Sequence, residues 1–171
     1  MSVSHDERTA LADLFLSVGP DAPTLCDGWT TRDLAVHLVV REYRHGPPRW
    51  NPMRLIDRFA NLTENFVHHE DVRRGGGEWS SRALPKGTRD ALWRATGFAA
   101  RGLIIPSGPT VRLVRTDGTG GEQDAVTVGS GAPEVTVTGA APELTLWVFG
   151  RDKACDLTVE GPVEKVARRD L

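Results

Sequence analysis

Cysteine is scarce in this 171-residue chain: Cys26 and Cys155 are the only two, far apart and in no C-x-x-C arrangement. That excludes a disulfide framework and a zinc site built from cysteine alone, and it fits a reducing compartment. Apolar runs are short as well. None approaches the roughly eighteen residues that a membrane-spanning helix requires, and the opening MSVSHDERTALADLF places His5, Asp6 and Glu7 where a secretory leader would need a basic start followed by an apolar stretch. The expectation is therefore a cytoplasmic protein. An excess of one charge is missing too. The chain has 21 basic against 23 acidic side chains, a net charge of -2, which gives neither nucleic acid nor an anionic membrane anything to select. Internal repeats and low-complexity tails are likewise lacking.

What is present is the profile of a soluble globular protein, 39% hydrophobic and 26% charged, long enough for one ordinary domain or two small ones. In the first segment Ser4 is a candidate cap answered by Glu7, and Leu11, Leu14, Phe15 and Val18 recur at helical spacing before Gly19-Pro20 stops the helix. LCDGWTTRDLAVHLVVREY repeats the plan, with Thr30 as cap, Asp33 three residues on and Trp29 set to clamp onto Leu34; the helix runs from about Thr31 to about Tyr43. RHGPPRWNPM, with three prolines and a glycine, is not helical. A third helix follows from about Leu55 to Arg74 and stops at Gly75-Gly76-Gly77. TRDALWRATGFAARGLI is a fourth, with Thr88 as cap and Gly97 and Gly102 weakening it.

Beyond Pro106 the period changes to alternation at Val111 and Leu113, Val126 and Val128, and Val135 and Val137, the signature of strands. RTDGTGGEQD reads as a hairpin connection, APELTLWVFGR as a short helix with Pro142 in its first turn, and CDLTVEG as a further strand. The fold class expected is α+β: a helical domain over residues 1–105 followed by a small α/β domain over residues 106–171.

Two stretches carry chemistry. NLTENFVHHEDVRR sets Glu64, His68 and Asp71 on one helical stripe, since each residue advances about 100°, while Phe59, Leu62 and Phe66 take the opposite one. Such a stripe is either the solvated face of an amphipathic helix or a set of donors converging on a metal. His37 is embedded in DLAVHLVVRE among apolar residues. An inward imidazole there is either a hydrogen-bonded core histidine or a ligand completing, with Glu64 and His68, the His₂Glu composition of catalytic zinc sites. His69 lies about 100° away and reads as a surface or supporting residue. Asp71 either orients a ligand histidine or pairs with Arg74. Both cysteines read as small packing residues.

CDGWTTRDLAVHLVVRE, then NLTENFVHHEDVRR, then VTVTG…PELTLWVFGR…LTVEG together resemble the mycothiol-dependent maleylpyruvate isomerase family of the DinB-like metalloprotein superfamily, in its uncharacterised metal-binding branch. The similarity spans nearly the whole chain. It implies an N-terminal DinB-like helical bundle holding a divalent metal, usually zinc, through a histidine on the second helix and a later Glu-x-x-x-His pair, matched here by His37, Glu64 and His68. Asp71 matches the acidic residue that often follows the second histidine. Arg151 matches the arginine of the C-terminal Gly-Arg pair, thought to help bind substrate.

The activity implied is a small thiol, mycothiol, adding to an electrophilic small molecule, with thiol transfer or isomerisation as the result; Asp71 and Arg151 are then the catalytic candidates and Arg41 a cofactor-binding one. An exposed surface arginine is the alternative reading of both Arg41 and Arg151, and the plainer one for Arg41. A non-catalytic binding module and a thiol-independent metallohydrolase are the competing functions, and the chain is expected to act as a monomer or homodimer. In one interval the pattern departs from the family: where relatives carry a further long helix, this chain has only EYRHGPPRWNPM. The apolar sides of the other helices then need cover from the helix near residues 88–103, the C-terminal half or a second subunit.

Overall fold

The computed structural model describes residues 3–45 and 54–169, and it is a mixed α+β protein with five α-helices and a four-stranded mixed sheet among them. Of the tract predicted non-helical from its prolines, Arg44 and His45 still belong to the second helix, and residues 46–53 lie outside the described residues, as does the side chain of Phe59. None of the described helices is long and apolar enough to cross a membrane. Two compact units divide the chain at Ser80/Ser81.

The first unit holds α1 (Val3–Val18), α2 (Thr31–His45) and α3 (Arg54–Arg74). Leu11, Leu34 and Val72, one from each helix, form its buried apolar centre, with Cys26 and Leu38 packed against them. The α2 start is the capping box expected: Thr30 N–H donates to Asp33 Oδ2 at 2.9 Å, and Thr30 Oγ1 accepts from Asp33 N–H at 3.4 Å. Trp29 also sets its ring beside His37. The α1 start differs from expectation. Ser4 is already helical, and its hydroxyl takes a hydrogen bond from Asn65 Nδ2 at 3.2 Å on α3. Glu7, instead of answering a cap, is buried against His69 with Oε2 2.9 Å from Nδ1. The inter-helix contacts form because polar groups enclosed between helices lose their water partners and must be satisfied within the protein.

On the outer side of α1 and α2, Leu16, Val36, Val39 and Val40 are exposed and line an apolar groove of about 530 Å³. None of the proposed metal ligands lines it.

The second unit is built on a sheet of order β2-β1-β3-β4, from β1 (Pro109–Arg115), β2 (Ala125–Val128), β3 (Gly131–Gly139) and β4 (Thr158–Glu160). β1 pairs antiparallel with β2 through the predicted hairpin and parallel with β3, and β4 closes the other edge antiparallel. The alternation read from the sequence is the burial pattern seen: Val111, Leu113, Val135 and Val137 are all fully buried. The APELTLWV segment is helical, α5 (Ala141–Val148), and every residue of it is buried.

α4 (Lys86–Leu103) packs on α5 and β2, so it belongs to the second unit, and the boundary falls at 80/81 instead of near 105. Its moderately apolar sequence gave no sign of which neighbour it would choose. Thr88 does not cap it; the helix opens at Lys86 behind Pro85 with no side-chain cap.

At the α4–β1 contact, Arg115 is nearly enclosed and pairs with Asp90 at 2.8 Å and Asp117 at 2.7 Å. The hydrogen bond from Lys86, then that from Arg115, holds the Asp90 carboxyl below its ordinary range. A group with a depressed folded value contributes stability that is present above the unfolded pKa, about 3.9, and is lost as pH falls through the folded one. Asp90→Asn is therefore expected to lower the urea midpoint at pH 7 and to flatten its decline below about pH 4. Urea titrations across that range check it.

Candidate metal centre

The site is assembled from α2, α3 and the loop that leads into α2. That loop is fixed by its own bonds. Thr24 Oγ1 donates to Trp29 O at 2.9 Å and accepts from Cys26 N–H at 3.2 Å, and Trp29 N–H closes a turn onto Cys26 O at 3.0 Å. Gly28 occupies that turn with φ 75°, the left-handed region where a side chain is strained. The loop is seated on the end of α3 by Leu25 N–H donating to Asp71 O at 3.0 Å. Gly75 permits the approach, since a Cβ there would collide with Pro23 O.

α3 is no solvated face in this region. Asp71 and Glu70 are completely buried, His69 and Arg74 nearly so, while Glu64 and His68 keep only 14% and 13% of their side-chain surface. Leu62 and Phe66 are buried, as the stripe predicted. His69, read as a surface or supporting residue, is instead an internal tie to Glu7 on α1. Arg74 Nε donates to Glu70 Oε2 at 2.6 Å, and the guanidinium lies 4.2 Å from the Trp79 ring centre.

His37, Glu64 and His68 meet. Each offers one donor atom, and all three atoms lie within 4.8 Å of one another, with His68 Nε2 4.0 Å from Glu64 Oε1. The imidazoles of His37 and His68 stand edge to face, ring centres 5.7 Å apart, and Trp29 covers His37 from 5.3 Å. Donors around a tetrahedral ion with bonds of about 2.0–2.1 Å are roughly 3.3 Å apart. Small side-chain rotations therefore suffice to close these three on one ion. The donor chemistry fits a divalent first-row cation, for which imidazole and carboxylate are both suited.

Behind the donors, His68 Nδ1 lies 3.0 Å from Asp71 Oδ2. A carboxylate only accepts, so Nδ1 carries a proton, and Nε2 is the ring atom turned toward Glu64. The Cys26 thiol donates to the same Asp71 oxygen at 3.3 Å. Cys26 thus does more than pack. With His68 and Asp71 it also forms a second close group of potential donors. Burial first, then the neighbouring His68 and Arg41, pushes the His37 imidazole below its ordinary pKa. It is neutral at pH 7, the form that coordinates.

Arg41 contacts Glu64 Oε2. Arg151 belongs to the second unit, where its Nη1 donates to Phe149 O at 2.6 Å. Sequence reasoning missed the Cys26–Asp71 bond and the Trp29 cover of His37, because both come from a loop to which no periodicity applies.

Asp71→Asn keeps the shape and removes the charge that holds His68 in this tautomer. Metal affinity is expected to fall by about 10- to 100-fold with little change in the folded spectrum. Competition with a chromophoric chelator, alongside circular dichroism, measures both. Comparison of the chain with protein-family models, with curated proteins and with solved structures finds no match.

Proposed function

We propose that the first unit holds a divalent cation, zinc by the family resemblance, on His37, Glu64 and His68, and that the protein is a DinB-like, metal-dependent enzyme. In this reading it uses a small thiol, mycothiol, for transfer to a small electrophile or for its isomerisation. The reading is carried by one observation, the approach of three donors from α2 and α3 to within 4.8 Å. Three protein donors leave room for an outside ligand, which is the composition of catalytic rather than structural zinc.

A bound dication supplies one thing, a strong preference for the thiolate form of an incoming thiol. The residues do the rest. His37 is held neutral by its burial. Asp71 keeps the His68 proton on Nδ1. Trp29 stands beside His37 with its ring centre 5.3 Å away. A substrate-binding role for Arg151 rests on the Gly-Arg pair alone, and it is consistent with a side chain that is only partly buried. α1, α2 and α3 would be the abbreviated DinB-like bundle.

The test is thiol binding with and without metal. Mycothiol is expected to bind at least tenfold more tightly to the zinc-loaded protein than to the chelator-treated one in calorimetry, with release of about one proton near neutral pH. Equal affinities, or binding without proton release, would remove the thiolate role.

A further inference from the structure

Two groups of donors share His68, one on each side of its ring. Nε2 faces Glu64 Oε1, in the group that His37 completes. On the other side Nδ1 lies 3.0 Å from Asp71 Oδ2, and Cys26 Sγ lies 3.3 Å from the same oxygen; nitrogen, sulfur and oxygen are all within 4.8 Å of one another. Around a tetrahedral ion with bonds of about 2.3 Å to sulfur and about 2.0–2.1 Å to nitrogen and oxygen, sulfur and oxygen stand roughly 3.6 Å apart, and nitrogen and oxygen roughly 3.3 Å. The observed contacts are a few tenths of an ångström shorter, so these donors have only to open slightly around an ion.

Backbone bonds on either side set the position of the sulfur. Leu25 N–H ties the loop to Asp71 O, and Cys26 N–H is held by Thr24 Oγ1. Asp71 is fully enclosed and Cys26 only half-buried, so the sulfur is the donor a dissolved ion meets first. The chemistry of this group also differs from that of its neighbour. A thiolate selects soft cations, whereas imidazole with carboxylate suits harder ones.

We propose that Cys26 Sγ, His68 Nδ1 and Asp71 Oδ2 form a second metal site, selective for a soft, thiophilic cation, and that filling it excludes an ion from the first. The entering ion replaces the two protons now directed at Asp71 Oδ2. The thiol proton is released, since coordination deprotonates a thiol. The imidazole stays neutral by carrying its proton on Nε2, where the Glu64 carboxylate can accept a hydrogen bond from it. Nε2 then has no lone pair for an ion between His37 and Glu64. Asp71 gives up no other partner, because a carboxylate has about four lone-pair positions and the ion uses one on Oδ2. The soft site stands on its own geometry; only the exclusion rests on the metal reading given above.

The probe is Cd²⁺, added to the full chain in thiol-free buffer, with and without prior loading with Zn²⁺. An ultraviolet thiolate-to-cadmium charge-transfer band should appear, saturate at about one ion per chain and accompany release of about one proton. Cys26→Ser should lose the band and bind Cd²⁺ at least about tenfold less tightly, while Cys155→Ser should keep both. After gel filtration of the zinc-loaded protein, elemental analysis should find cadmium in place of zinc; Cys26→Ser should retain its zinc against the same addition.

Absence of the band, or an undiminished band in Cys26→Ser, would overturn the soft site. Cadmium and zinc together on one chain, with the band present, would overturn the exclusion. A Cys26-dependent band in a protein that binds no zinc would support the soft site and overturn the earlier metal reading alone. Should Cys26→Ser not fold, alkylation of the unmodified protein by iodoacetamide decides, followed by peptide mass spectrometry. Cd²⁺ should slow modification of Cys26 at least about tenfold, and an unchanged rate would overturn the site.

Discussion

Purified without chelators, the protein is expected to carry about one divalent ion per chain, and the double variant His37→Ala, His68→Ala is expected to carry none. The expected loss is large because it removes two of three protein donors. Structural zinc in small proteins is bound with about 10–16 kcal/mol shared among four ligands, so each ligand accounts for roughly 3 kcal/mol, more than a hundredfold in affinity. Two lost ligands take the site beyond any affinity that survives gel filtration. Elemental analysis by mass spectrometry reads the stoichiometry. Stoichiometric metal in the double variant would place the ion elsewhere, and the Cys26, His68 and Asp71 group would not rescue the assignment, since it too has lost His68. Glu64→Gln separates the parts: it retains a neutral oxygen donor and should weaken binding less than either histidine change.

How much of this could be read from residues alone follows from which interactions are periodic. The helices and strands were legible because burial imposes a period on each, and Leu11, Leu62 and Phe66, or Val111, Leu113, Val135 and Val137, are buried where the pattern put them. The Glu64–His68 pair was legible for the same reason, being one turn apart on one helix.

That His37 faces the pair was suggested by its apolar surroundings and, more specifically, by the family resemblance; no spacing rule relates α2 to α3. Other features depend on neighbours that no local pattern identifies. α4 packs on α5 and β2, a choice that its own sequence does not announce, so the compact units divide before it and not after it. His69 read as a surface or supporting residue because its partner, Glu7, lies on another helix, and the Trp79 ring beside Arg74 lies beyond the end of α3.

Glu70 is the point where that hidden chemistry has its greatest energetic consequence. Its Oε2 accepts from Arg73 Nη1 at 2.7 Å and from Arg74 Nε at 2.6 Å, with the Glu70 side chain fully enclosed and that of Arg74 only 1% exposed. A guanidinium taken from water is tolerated when a carboxylate compensates it; removing the carboxylate leaves the cost of burial without the attraction. Glu70→Leu is therefore expected to destabilise the protein by about 3–5 kcal/mol, the range for breaking one side of a buried pair. Replacing Glu70 and Arg74 together, by Leu and Met, should recover a substantial part of that loss, because no uncompensated charge remains. Glu70 immediately precedes Asp71 on α3, so a loosened helix end should also weaken the hold on His68. The single variant is then expected to lose metal affinity along with stability, and the double variant to regain both. Urea titrations with and without bound Zn²⁺ follow the two quantities together. A Glu70→Leu protein within 1 kcal/mol of the original would mean that Arg74 finds full compensation from its other neighbours, the Trp79 face first among them.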